Sequence, residues 1–111
     1  MNLTTALALL LVSAILEAGG DAIVRHGLQA PSAFNRLLLF LAGGIVLFLY
    51  GYVVNRPPWD FGKLLGVYVV FFFVVAQAIG WLFFGQAPSR GVLLGGAFIV
   101  TGGVIVAVSA L

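Results

Sequence analysis

Glu17, Asp21 and Arg25 follow one another at four-residue intervals in the stretch "AILEAGGDAIVRHG", residues 14–27, after sixteen residues without a charge. In a helix this spacing places the three side chains on one face. Ser13, Ala14 and Gly20 lie on the same side and complete a small, polar stripe. A carboxyl group in so apolar a setting has a specific chemical use. Removal from water penalises its ionised form, so one group can hold a proton in one state and a cation in another. A site that cannot hold both at once is sufficient for proton-coupled exchange. The blander alternative is a structural acid that pairs with a buried donor and holds helices together. Acids inside a membrane are functional by default, and Glu17 is read here as a binding carboxylate. Asp21, one turn farther out, reads first as an interfacial residue paired with Arg25 and second as part of the same site. His26, nine residues after Glu17, falls half a helical wheel away and is expected in a loop or at the interface, with no metal-ligand cluster around it.

The elements that must position this stripe follow from composition. The chain has 111 residues, 63% hydrophobic and 7% charged, with a mean hydropathy of +1.24. Soluble domains are about 25% charged, and a chain this short hides only part of its apolar surface from water. The bilayer is therefore the solvent. Crossing it as a helix takes about 20 apolar residues, and four such runs are present: about Leu3–Val24, Arg36–Val54, Phe61–Phe84 and Gly91–Leu111. The breaks "HGLQAPSAFN", "NRPPWD" and "GQAPSR" contain all four prolines, where helices stop and restart. The expected architecture is an all-α membrane protein, one four-helix transmembrane domain over residues 1–111. A cleavable signal peptide is not expected, because no Lys or Arg precedes Arg25 to form a positive n-region. With these boundaries Glu17 lies about 5 Å past the middle of the first span. At such depth an ionised acid costs ~2.5–3.5 kcal/mol on insertion scales.

Charge excludes other classes. Five basic and three acidic residues give a net charge of +2, too few and too scattered for a nucleic-acid surface. No nucleophile–base pair or metal set is visible, so the chain does not read as an enzyme, and no cofactor beyond a coupling proton is expected. Cysteine is absent, which excludes disulfides. Lys and Arg in short loops set orientation. Arg56 and Lys63 fall on one side, and Arg25, Arg36 and Arg90 on the other. So even a balance permits insertion in both orientations. Two oppositely inserted copies would form the inverted pair that transporters often obtain from internal repeats. Helix 4 carries Gly91-x-x-x-Gly95, then Gly95 to Gly102 and Gly96 to Gly103 at seven-residue spacing. Small residues on one stripe let helices approach closely in lipid, which makes Gly91, Gly95 and Gly102 candidate dimer contacts. The alternative is packing within one protomer. Tyr50, Tyr68 and Gln77 are polar-tipped residues at membrane depth that could orient Glu17 or stack on a cation. Trp59 and Trp81 fall near the expected interfaces, where such rings anchor.

Two stretches resemble a known family. "LEAGGDAIVR" has an acid, a glycine three residues later and a basic residue eight later, as in the first helix of small multidrug resistance transporters. "GWLFFGQAPSRGVLLGGAFIVTGGVIV" is similar to their helix 3–loop–helix 4 segment, through Trp81, Phe83–Gln86, Gly95 and Gly102. The related YnfA-like family, with a helix-1 acid and a "GRVYAAYGGVYV"-like third helix, is a close competitor; "GKLLGVYVVFFFVV" corresponds here. The resemblance implies an antiparallel homodimer of four-helix protomers, or a heterodimer with a sister chain. It implies that Glu17 is the shared proton and substrate site, with Tyr68 in the place of a substrate-stacking tryptophan, and that helix 4 makes the dimer contact. The chain departs from the multidrug subtype at Leu65, Tyr68, Asp21, Val70 and Phe72. The function read from these features is a proton-coupled antiporter of the bacterial inner membrane that exports small organic cations or amphiphiles. Ser13, Gly20, Asp21 and Tyr68 are expected around Glu17. The alternatives are a non-transporting accessory or scaffold protein and a polyamine or lipid-linked carrier subunit.

Overall fold

Each helix starts and stops for a local reason. The computed structural model describes residues 1–109, in the order α1 (Leu3–Gln29), α2 (Ala33–Val54), α3 (Phe61–Phe84) and α4 (Arg90–Ser109). The Asn2 side chain caps α1 by accepting from the Thr5 N–H at 2.8 Å. Ser32 and Ser89 cap α2 and α4 in the same way, accepting from Asn35 and Val92, each at 3.2 Å. At the end of α3, Gly85 adopts φ +66°, a left-handed conformation open to glycine, and the Gln86 N–H closes back on the Gly80 carbonyl at 3.0 Å. No strand occurs among the described residues. All four helices are long and apolar enough to span a membrane, so the chain is a multi-pass, all-α membrane protein.

The first span runs five residues past its expected end at Val24. Arg25 and His26 do not break the helix. It stops only at Ala30, whose extended backbone precedes Pro31. His26, expected in a loop or at the interface, is therefore helical. The longer helix also re-centres the acids. Glu17 now lies one residue past the midpoint of Leu3–Gln29. Asp21 lies about 7.5 Å from that midpoint at 1.5 Å per residue, well inside a hydrocarbon half-thickness of about 15 Å. Contacts with α2 agree: a side chain at Gly43, midway along α2, would meet the Gly20 carbonyl and Val24. Measured along α1, Asp21 is therefore farther from the helix end than a boundary at Val24 implied.

The helices do not close into a bundle. Among the described residues α1 packs on α2 and α3, and α4 packs on α3 alone. The order in space is α2–α1–α3–α4, an open row only 19 Å across its thinnest dimension. The α1–α2 contact is close because Gly20 and Gly43 face each other's helices. A Cβ at Gly20 would come within 2.8 Å of the Leu47 side chain. The core is small, built from Leu10, Ala14, Val54, Leu64, Val67 and Tyr68. Phe48 and Phe98 are 74% and 73% exposed. In lipid such surfaces carry no hydrophobic penalty, because the tails are as apolar as the side chains.

Candidate functional site

Tyr68 reaches Glu17 because α3 presents Leu64, Tyr68 and Phe72, one turn apart, toward α1. Leu64 and Tyr68 are buried and Phe72 packs against them. The Tyr68 hydroxyl donates to Glu17 Oε1 at 2.8 Å, across 51 residues of sequence. The Tyr50 ring of α2 lies 5.6 Å from the Tyr68 ring, and the Phe72 ring lies 6.2 Å from it. The α2 and α3 backbones do not touch, so their aromatics meet over the polar stripe of α1. Glu17 is half-buried at this junction. Its partner is a neutral hydroxyl rather than a cation. A carboxylate held so is oriented without being neutralised. A proton or a cationic ligand can then compete for it.

The other residues expected near Glu17 are distributed more widely. Ser13 is fully buried, and its hydroxyl donates to the Leu9 carbonyl of its own helix at 2.7 Å. Gly20 is taken up by the close approach to Leu47. Gln77 is half-buried and its side chain makes no hydrogen bond among the described residues. Arg25, expected on Asp21, instead places its guanidinium 5.5 Å from the centre of the Phe84 ring, on which His26 also stacks at 5.2 Å. Asp21 lines an open cleft of about 200 Å³ between α1 and α3, with Arg25, Phe72, Ile79, Phe84 and Gln86. Phe84 and Gln86 carry no sequence signal for this position. They become visible only when the end of α3 is laid beside α1.

The glycines of α4 divide into two registers. Gly96 and Gly103 are buried, and added side chains would run into Phe73 and Val70 of α3. Gly95 and Gly102 face outward, with nothing within 4 Å of an added Cβ, and Gly91 meets only the Ser89 hydroxyl, at 3.9 Å. One register packs the protomer and the other is presented to its surroundings. At the opposite end of the α2–α3 pair, Lys63 lies over Trp59 at 5.1 Å and Arg56 over Tyr52 at 5.5 Å. No group of three or more His, Cys, Asp or Glu residues able to hold a metal ion occurs among the described residues.

The chain is similar to two bacterial proteins over nearly its whole length. One, from Nocardia farcinica, is 33% identical over 104 residues, covering 92% of this chain and 90% of the relative. The other, from Clostridium beijerinckii, is 25% identical over 108 residues, covering 96% and 95%. Both bear the name UPF0060 membrane protein. No family model matches the chain. No solved structure matches it either.

Proposed function

Because the chain belongs to the UPF0060 membrane proteins, a YnfA-like group related to the small multidrug resistance transporters but separate from them, we propose that it is a proton-coupled antiporter. It exports small cationic or amphiphilic compounds across the bacterial inner membrane. The observation that carries this reading is the Glu17 carboxyl, set at the middle of a membrane-spanning helix and held, among the described residues, by the Tyr68 hydroxyl alone. A structural acid at that depth would be matched with a cation or enclosed by several donors. A single uncharged partner leaves the remaining lone pairs of the carboxylate open, which suits a group that exchanges ligands. The cycle needs only that Glu17 bind a proton or a cation, never both, with Tyr68 and Tyr50 offering aromatic surface to the cation.

The open row of helices favours work as a pair. One protomer, 19 Å thick, encloses no path across the membrane. A second copy inserted in the opposite sense would cover the Glu17 face and bring two acids to one cavity, where they would titrate as a coupled pair. Gly91, Gly95 and Gly102 supply the outward stripe for that contact.

Proteoliposomes with a proton gradient test the reading. Wild-type protein is expected to drive uptake of an organic cation against its gradient, and Glu17→Gln is expected to fall to the level of empty vesicles. Wild-type-like transport by Glu17→Gln would overturn the assignment. No transport and no binding across a broad cation panel would favour the accessory or scaffold role. Tagging the C-terminus and labelling it from each side tests dual insertion, and a single labelled side would exclude the antiparallel homodimer.

A further inference from the structure

The α1–α3 cleft contains two opposite charges that the antiport cycle does not use. Asp21 and Arg25 are separated by one turn, about 6 Å along the axis, and both line the cleft. They are not paired with each other. Two other arginines near helix ends are held by hydrogen bonds: Arg36 donates to the Ala30 carbonyl at 3.0 Å, and Arg56 to the Tyr52 hydroxyl at 3.1 Å. Among the described residues the Arg25 side chain donates no hydrogen bond and the Asp21 carboxylate accepts none. Arg25 is instead laid over Phe84. Stacking fixes the guanidinium plane and leaves its N–H edge free to donate.

The surroundings define a chemistry. Gln86 adds an amide at the outer end, and Phe72, Ile79 and Phe84 form an apolar wall. Ala18, Ala22, Ala76 and Gly80 line the same cleft, and their small size leaves its volume open. The acid lies deeper than the base, since Asp21 is closer to the middle of α1 than Arg25 is. A simple cation would meet Arg25 as a like charge. A simple anion would meet Asp21. A head carrying both charges a few bonds apart meets neither penalty.

We infer that the cleft is a second binding site, for an amphiphile with a zwitterionic head: its ammonium against Asp21, its anionic group against Arg25 and Gln86, and its apolar body along Phe72 and Ile79. Such heads occur on membrane lipids and on free amphiphiles alike. The site does not rest on the antiport reading, because it is defined by equilibrium binding without a gradient.

The test uses the full-length protein in nanodiscs of phosphatidylglycerol, which presents no zwitterion. Octyl betaine and octyltrimethylammonium, matched in apolar body, are titrated calorimetrically. The betaine is expected to bind at least tenfold more tightly than the cation. Asp21→Asn and Arg25→Gln should each weaken the betaine about tenfold or more, in keeping with the loss of a charge-assisted contact. Ala76→Phe, which fills the cleft and leaves both charges in place, should abolish betaine binding, so a folding defect in one charge variant does not decide the matter. Equal binding of betaine and cation, or unchanged betaine affinity in all three variants, would overturn the proposal. Replacing half the lipid with phosphatidylethanolamine then identifies the source. Competition in wild type, absent in Arg25→Gln, assigns the site to a lipid head; unchanged betaine affinity assigns it to a free zwitterion.

Discussion

Two carboxyl groups one turn apart on α1 meet opposite fates. Glu17 is bonded by Tyr68, whose ring lies 5.6 Å from that of Tyr50. Asp21 opens on a cleft and its side chain has no hydrogen-bond partner among the described residues, although a cation stands one turn away on its own helix. Nothing in α1 separates the two. The difference comes from α3, which sets a tyrosine beside one acid and, four residues on, a phenylalanine beside the other. A polar stripe on a membrane helix is therefore not one site. Its members are divided by the residues that the neighbouring helices bring to each turn.

The largest test of this contrast removes each acid in turn. Glu17→Gln should abolish proton-driven uptake in proteoliposomes, whereas Asp21→Asn should keep uptake of a simple monovalent cation within about fivefold of wild type, a gap of more than one decade, or about 1.4 kcal/mol. Equal loss in both variants would merge the two acids into one site. Next comes the partner. Tyr68→Phe removes a hydrogen bond to a charged group, worth about 1.5–3 kcal/mol, and should lower uptake roughly tenfold or more. Placed on Glu17→Gln it should add nothing, since the two act as one unit. An additive double variant would show that Tyr68 acts elsewhere.

Packing that holds the stripe in register should have a smaller effect, visible in stability. Gly20→Val would drive a branched side chain into Leu47, and overpacking of this kind costs about 1–3 kcal/mol. A lower Tm in detergent is expected, with Gly19→Ala as the matched control, since an added Cβ there meets nothing within 4 Å. A normal Tm for Gly20→Val would show that the α1–α2 contact is looser than described. The smallest effect is expected for Tyr50→Phe, which keeps the ring that faces Tyr68 and loses only a hydroxyl. Uptake should change less than about threefold, within the range of a single neutral hydrogen bond. A loss as large as that of Tyr68→Phe would place Tyr50 in direct contact with the cargo.

Much of the fold was legible beforehand, because apolar run length and proline placement are local properties. The four spans needed no tertiary information. The errors are local too, and have physical causes. Arg25 and His26 look like the end of a helix, yet charged residues do not stop one; the extended residue before Pro31 does. Misplacing that end moved the inferred depth of both acids. Glu17 was identifiable from its isolation among apolar residues. Tyr68 was one of three polar-tipped candidates, and no periodicity separates it from Gln77. The α4 glycines announced close packing but not the partner: Gly96 and Gly103 serve α3, while Gly95 and Gly102 point away.

Sequence alone determined that this chain lives in a bilayer, that it crosses as four helices, and that the first of them carries an isolated acid, because hydropathy and helical rise depend only on the order of residues. Tertiary structure decided which acid has a partner, which register of glycines is covered, and that the helices form an open row. Those outcomes depend on how side chains from separate helices meet, across 51 residues in the case of Tyr68 and Glu17, and no local pattern records such a meeting.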